Sequence, residues 1–106
     1  MIENIFKVTK SSSTMEKEIT ISKLDKYYQL TSKALSMAKN AVAKSKQKQA
    51  NEIIIMVECY LKDSQHFKEK NDLVNAFGCL NYAHGWLDCG ARLKIFKVTD
   101  NYLFTV

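Results

Sequence analysis

Residues 21–46 read ISKLDKYYQLTSKALSMAKNAVAKSK, and the spacing of their apolar positions decides the fold class. Ile21, Leu24, Tyr28, Thr31, Leu35, Ala38 and Val42 step by three and four, so they form one stripe of an α-helix. Tyr27, Ala34 and Ala41 widen that stripe, while Lys23, Lys26, Lys33, Asn40 and Lys44 fall roughly opposite, on a solvent face. Ser22 can cap, with Asp25 three residues on as a short-armed capping box. The pattern predicts a helix over 22–46, about 37 Å long.

The same step recurs downstream. Ala50, Ile53, Val57, Tyr60, Ser64 and Phe67 define a second helix over 48–70, flanked by Ile54 and Leu61. Asn71 or Asp72 can cap a third over 72–93, whose stripe is Leu73, Ala76, Leu80, Ala83, Leu87 and Gly90. Three amphipathic helices joined by very short connections pack as antiparallel neighbours, which predicts an all-α, up-and-down three-helix bundle. The 106 residues suffice for one domain, taken as 21–106. With no proline and three glycines, the chain is ill-suited to sandwiches, barrels and glycine-rich phosphate loops. Residues 1–20 read as a flexible arm, with Ser11-Ser12-Ser13-Thr14 as a polar stretch and Ile2, Ile5 and Phe6 as its sizeable apolar group.

The third helix is apolar on a second side. Cys79, Tyr82, Trp86 and Leu93 lie away from the core stripe and form a candidate interaction face. The tail, 94–106, carries Ile95, Phe96, Val98, Leu103, Phe104 and Val106, and is expected to fold back onto the bundle and cover part of that face. A dimer partner is the other cover.

One polar constellation stands out. His84 and Asp88 are spaced i,i+4 beside the core stripe, Asn81 lies near them, and Arg92 follows Asp88 by four. With Asp63 these residues are the candidate polar cluster. A carboxylate-oriented histidine suits acid–base chemistry, and equally suits a structural histidine whose hydrogen bonds are satisfied. The cluster holds no nucleophile, so no catalytic residue is assigned. Cys59, Cys79 and Cys89 lack paired metal-ligand spacing, and neither a metal nor a cofactor is expected.

The net charge of +5 is unevenly spread. Residues 1–50 hold ten lysines against four carboxylates, and residues 51–106 hold six cations against seven. A basic half can attract nucleic acid. Arg92 is the sole arginine, and the cluster Lys39, Lys44, Lys46 and Lys48 falls at the predicted end of the first helix, where the macrodipole favours cations. The longest strictly apolar run, Ile53–Val57, is too short for a membrane span, and unpaired cysteines suit a reducing cytoplasm.

Asn81–Leu93, with Tyr60-x-x-Asp63, Phe67 and the ending Leu103-Phe104-Thr105-Val106, resembles the archaeal family named domain of unknown function 357. The resemblance spans roughly 22–106. It implies a cytosolic three-helix protein of uncharacterised activity and brings no catalytic residues. Cys89 stands where the family's run suggests a small residue such as alanine. A looser likeness, to helical RNA-cleaving domains with an arginine shortly before a histidine, fails because Arg92 follows both His66 and His84. Three functions are expected, in this order. The first is a non-catalytic interaction or scaffold module, as a homo-oligomer or with an unknown protein partner. The second is a nucleic-acid-associated protein using the lysine-rich half. The third is a ligand binder or enzyme at Asp63, Asn81, His84 and Asp88.

Overall fold

A computed structural model describes residues 16–105; the stretch assigned to the arm up to Met15, and Val106, lie outside the described residues. It is an all-α, three-helix bundle. Helix α1 spans Ile21–Lys39, α2 Gln47–Glu69 and α3 Leu73–Arg92. Helix α3 is the central element, packed most extensively on α2 and next on α1.

Thr20, rather than Ser22, caps α1: its hydroxyl accepts the Lys23 amide at 3.1 Å. The buried face is Leu24, Tyr27, Thr31, Ala34, Leu35 and Ala38. Ile21 is exposed and Tyr28 half-buried, so the stripe is rotated towards Tyr27 and Ala34.

Helix α1 stops at Lys39, seven residues before the predicted end. Asn40 turns its amide onto the Met37 carbonyl, and its side-chain NH2 donates to the Ser36 carbonyl at 3.1 Å. The next three residues pair with the tail. Ala43 N–H donates to Ile95 O at 2.9 Å, Lys97 N–H to Ala41 O at 2.6 Å, and Val42 bridges antiparallel to Phe96. Backbone groups that would have extended the helix are used across the bundle instead. A 3-10 turn, Lys44–Lys46, then leads into α2.

Both later helices end in a left-handed residue, Asn71 and Lys94, each with φ 60°. In each case two backward hydrogen bonds close the helix: Asp72 N–H to Phe67 O and Asn71 N–H to Lys68 O, then Ile95 N–H to Gly90 O and Lys94 N–H to Ala91 O. This is the Schellman arrangement. Asp72 caps α3 by accepting the Asn75 amide at 3.2 Å.

The tail does fold onto the bundle, yet not over the face expected. Ile95, Phe96, Leu103 and Phe104 enter the core itself, and Phe96 and Phe104 are its largest fully buried side chains. Phe96 lies close against Gly90: a Cβ there would fall on the Phe96 ring and within 3.2 Å of Ile53. Only glycine permits that approach. Tyr82 and Leu93 stay exposed, at 55% and 62%. The tail packs on the other side of α3, where it also meets polar partners.

Candidate functional site

Those partners are His84 and Asp88. His84 is 1% exposed, and both of its ring nitrogens are engaged. Nε2 lies 2.7 Å from the Leu103 carbonyl, which can only accept, so Nε2 carries the proton. Nδ1 then accepts the Thr31 hydroxyl from α1 at 2.9 Å. Burial lowers the imidazole pKa below its ordinary 6.5, against the opposing pull of the Leu103 carbonyl and of Asp88. The ring is therefore neutral near pH 7. Asp88 Oδ1 is 3.8 Å from Nε2 and accepts the Thr105 amide at 3.0 Å. Further along the tail, Asp100 accepts the amides of Tyr102 and Leu103, at 2.8 and 3.0 Å, which sets the turn before Leu103. The amides of Leu103 and Tyr102 hold its carboxyl below the usual range.

The rest of the polar cluster is dispersed. Asn81 borders a hollow beside Tyr82 and Trp86. Asp63 is exposed on α2, near enough to Cys79 to act after burial in raising its thiol. Arg92 is exposed at the end of α3, a full turn beyond Asp88. Thr31, the Leu103 carbonyl and Thr105 complete the surroundings of His84 and Asp88 instead. Thr31 gave one signal, as a polar residue inside an apolar stripe that must find a partner when buried. The two tail contacts had none, because they are backbone groups.

On the outward side of α3, Tyr82 meets Tyr60 edge-on, with centroids 4.7 Å apart, and Trp86 edge-on at 6.4 Å. Gly78 and Gly85 flank Tyr82, and a Cβ on either would meet nothing. Beside each glycine is a shallow hollow of about 270 Å³. Burial, then Asp63 and Asp72, push the Cys79 thiol up, so it is protonated at neutral pH.

The lysine cluster changes its meaning. With α1 ending at Lys39, Lys44, Lys46 and Lys48 stand at the start of α2, whose first turn holds no acid and whose cap residue, Lys46, makes no side-chain cap. A helix N-terminus disfavours cations, so the dipole that was expected to explain these lysines opposes them. The bridge from Val42 to Phe96 then brings Arg92, Lys94 and Lys97 to the same end of the bundle.

Among the described residues, no three histidine, cysteine or carboxylate side chains are grouped to hold a metal ion, and no helix is long and apolar enough to cross a membrane. The family model described as a protein of unknown function, DUF357, matches residues 26–96. The chain belongs to this family. The match takes in all of α2 and α3 and ends at Phe96, the bridge residue, so the Leu103–Val106 ending lies beyond it. No curated protein and no solved structure matches the chain.

Proposed function

We propose that this DUF357 member is a non-catalytic interaction module that self-associates through the outward face of α3. The observation that carries the reading is the exposed Tyr82 set between two hollows at Gly78 and Gly85. Mid-helix glycine costs about 0.5–1 kcal/mol relative to alanine, and at neither position does a neighbour within the described chain require it. A face offering both a projecting ring and recesses beside it has the two elements that a two-fold interface between identical chains pairs with each other. Trp86 and Leu93 extend the same side, with Cys79 at the margin. The histidine supports a non-catalytic role: with both nitrogens bonded inside the core, it presents nothing to a substrate.

Sedimentation equilibrium tests the proposal. The wild type is expected to show a concentration-dependent dimer, and Tyr82→Glu to be monomeric. A Cβ at residue 85 meets nothing within 4 Å, so Gly85→Leu is expected to occupy the hollow and abolish the dimer while keeping the thermal midpoint at or above that of the wild type. A wild type that stays monomeric at every concentration overturns the self-association, as does a Gly85→Leu variant that dimerises unchanged.

A further inference from the structure

We infer that the end of the bundle where α1 meets α2 and α3 passes into the tail is a docking site for single-stranded nucleic acid, held through its phosphodiester backbone. Residues 39–48 and 92–97 meet there through the Ala43–Ile95 and Lys97–Ala41 hydrogen bonds. Together they hold seven cations, Lys39, Lys44, Lys46, Lys48, Arg92, Lys94 and Lys97, and no carboxylate. Among the described residues only Lys39 of the seven is in an ion pair, with Glu58 at 2.8 Å.

Fold stability does not account for this concentration. Cations after α1 and α3 suit those helix C-termini, but Lys44, Lys46 and Lys48 crowd the N-terminus of α2, where the backbone is already positive. Charge kept against a local electrostatic cost points to an anionic partner.

The shape of the end favours a strand over an isolated phosphate. Two adjoining cavities, about 520 and 630 Å³, share Lys97, Val98 and Thr99 as their common wall. Arg92 and Lys94 border the first, and Asn40, Asp100 and Asn101 the second, where the Asp100 carboxylate is engaged by the amides of Tyr102 and Leu103. Each is in the size range of a small-molecule site. A chain of nucleotides can seat successive units in the two, with a phosphate over the Lys97 ridge. Val98, half-buried, gives the first cavity an apolar wall against which a nucleoside can rest. Recognition through lysines and hydroxyls reads charge and spacing, so the site discriminates little between base sequences.

The test uses the full chain, a labelled short oligouridylate and the matching oligothymidylate, followed by fluorescence anisotropy from low salt to about 0.3 M. Both strands are expected to bind, with affinity falling steeply as salt rises. The triple variant Arg92→Gln/Lys94→Gln/Lys97→Gln should weaken binding at least tenfold at low salt. It should also flatten the log–log salt slope by about 2, at about 0.7 for each cation lost on a single strand. Lys44→Gln/Lys46→Gln/Lys48→Gln should weaken binding likewise and raise the thermal midpoint, since it relieves the start of α2. Lys62→Gln/Lys70→Gln, away from this end, should change neither affinity nor slope. The inference is overturned if both triple variants bind as the wild type does. It is equally overturned if uridine monophosphate, inorganic phosphate or an acidic peptide of equal charge binds as tightly as the strand.

Discussion

Where α1 begins and α2 turns into α3, the closing contacts are mostly short-range in sequence. Thr20 caps α1, Glu16 pairs with Lys23, and Asn71 and Asp72 finish one helix and start the next. Residues 16–26 and 66–72 hold five cations and five carboxylates, and Lys68 reaches Asp25 at 2.5 Å. At the opposite end no side chain caps α2, and the backbone of the tail pairs with residues 41–43, more than fifty residues away. Phe96 rests on Gly90, and seven cations fall within residues 39–48 and 92–97, which hold no carboxylate. The balanced end is closed by caps and by side-chain charges of both signs. The other end is closed by the tail backbone, and among the described residues only Lys39 of its seven cations is in an ion pair.

The largest test of that contrast is the loss of the tail's anchor. Phe96→Ala should cost about 3–5 kcal/mol, since it empties a fully buried site against Gly90 and Ile53. Phe67→Ala, half-buried near the balanced end, should cost clearly less. Urea denaturation of the two variants ranks the ends, and equal midpoints would remove the distinction.

His84→Ala should cost about 2–3 kcal/mol, because it leaves the Thr31 hydroxyl and the Leu103 carbonyl buried and unpaired. Asp88→Asn should hurt less, since its amide oxygen still accepts from Thr105. Hydrogen exchange adds a sharper readout: amides of residues 100–105 should lose protection in His84→Ala before those of α2 do.

The same histidine makes stability depend on pH. Its folded pKa lies below the ordinary 6.5 because of burial, so the unfolded chain takes up the proton first as pH falls. Stability is therefore full above 6.5 and declines below it, by at most about 1.4 kcal/mol per pH unit, until the folded imidazole is itself protonated. Urea midpoints measured from pH 7.5 downward should show the decline, at roughly the slope that one proton allows. His84→Gln should remove that component.

The smallest effect compares two left-handed residues. Lys94→Gly should stabilise by roughly 0.5–1 kcal/mol, because a side chain with a Cβ is strained at φ 60°. Asn71→Gly should change stability by only a few tenths of a kcal/mol, since asparagine tolerates that conformation. Thermal melts that reverse this order would show that strain at φ 60° does not separate the two Schellman ends.

The contrast between the ends also explains what was legible in the sequence. The helices follow from the three-four spacing of Ala50, Ile53 and Val57 on α2 and of Leu80, Ala83 and Leu87 on α3, and Asp72 announced its cap. The end of α1 was not legible. Ala38 to Val42 continues the helical step, while the pairing that replaces it is made by Ile95 and Lys97, more than fifty residues on. The polar cluster was legible in part, as His84 with Asp88. Asp63 and Arg92 shared its chemistry but not its place, and the missing partners were a threonine read as stripe and two backbone groups of the tail. Lysines that looked like the favourable finish of one helix are instead the unfavourable start of another.

Phe96 against Gly90 also bears on how the chain folds. Whenever the three helices associate before residues 95–104 have docked, the place that Phe96 takes at Gly90 stands open and the core lacks Phe104. A helical assembly in that condition shows an apolar slot, the kind of surface that chaperones bind and that neighbouring chains can fill by mistake. Docking of the tail closes the domain, so the yield of native protein depends on how promptly residues 95–104 reach their slot.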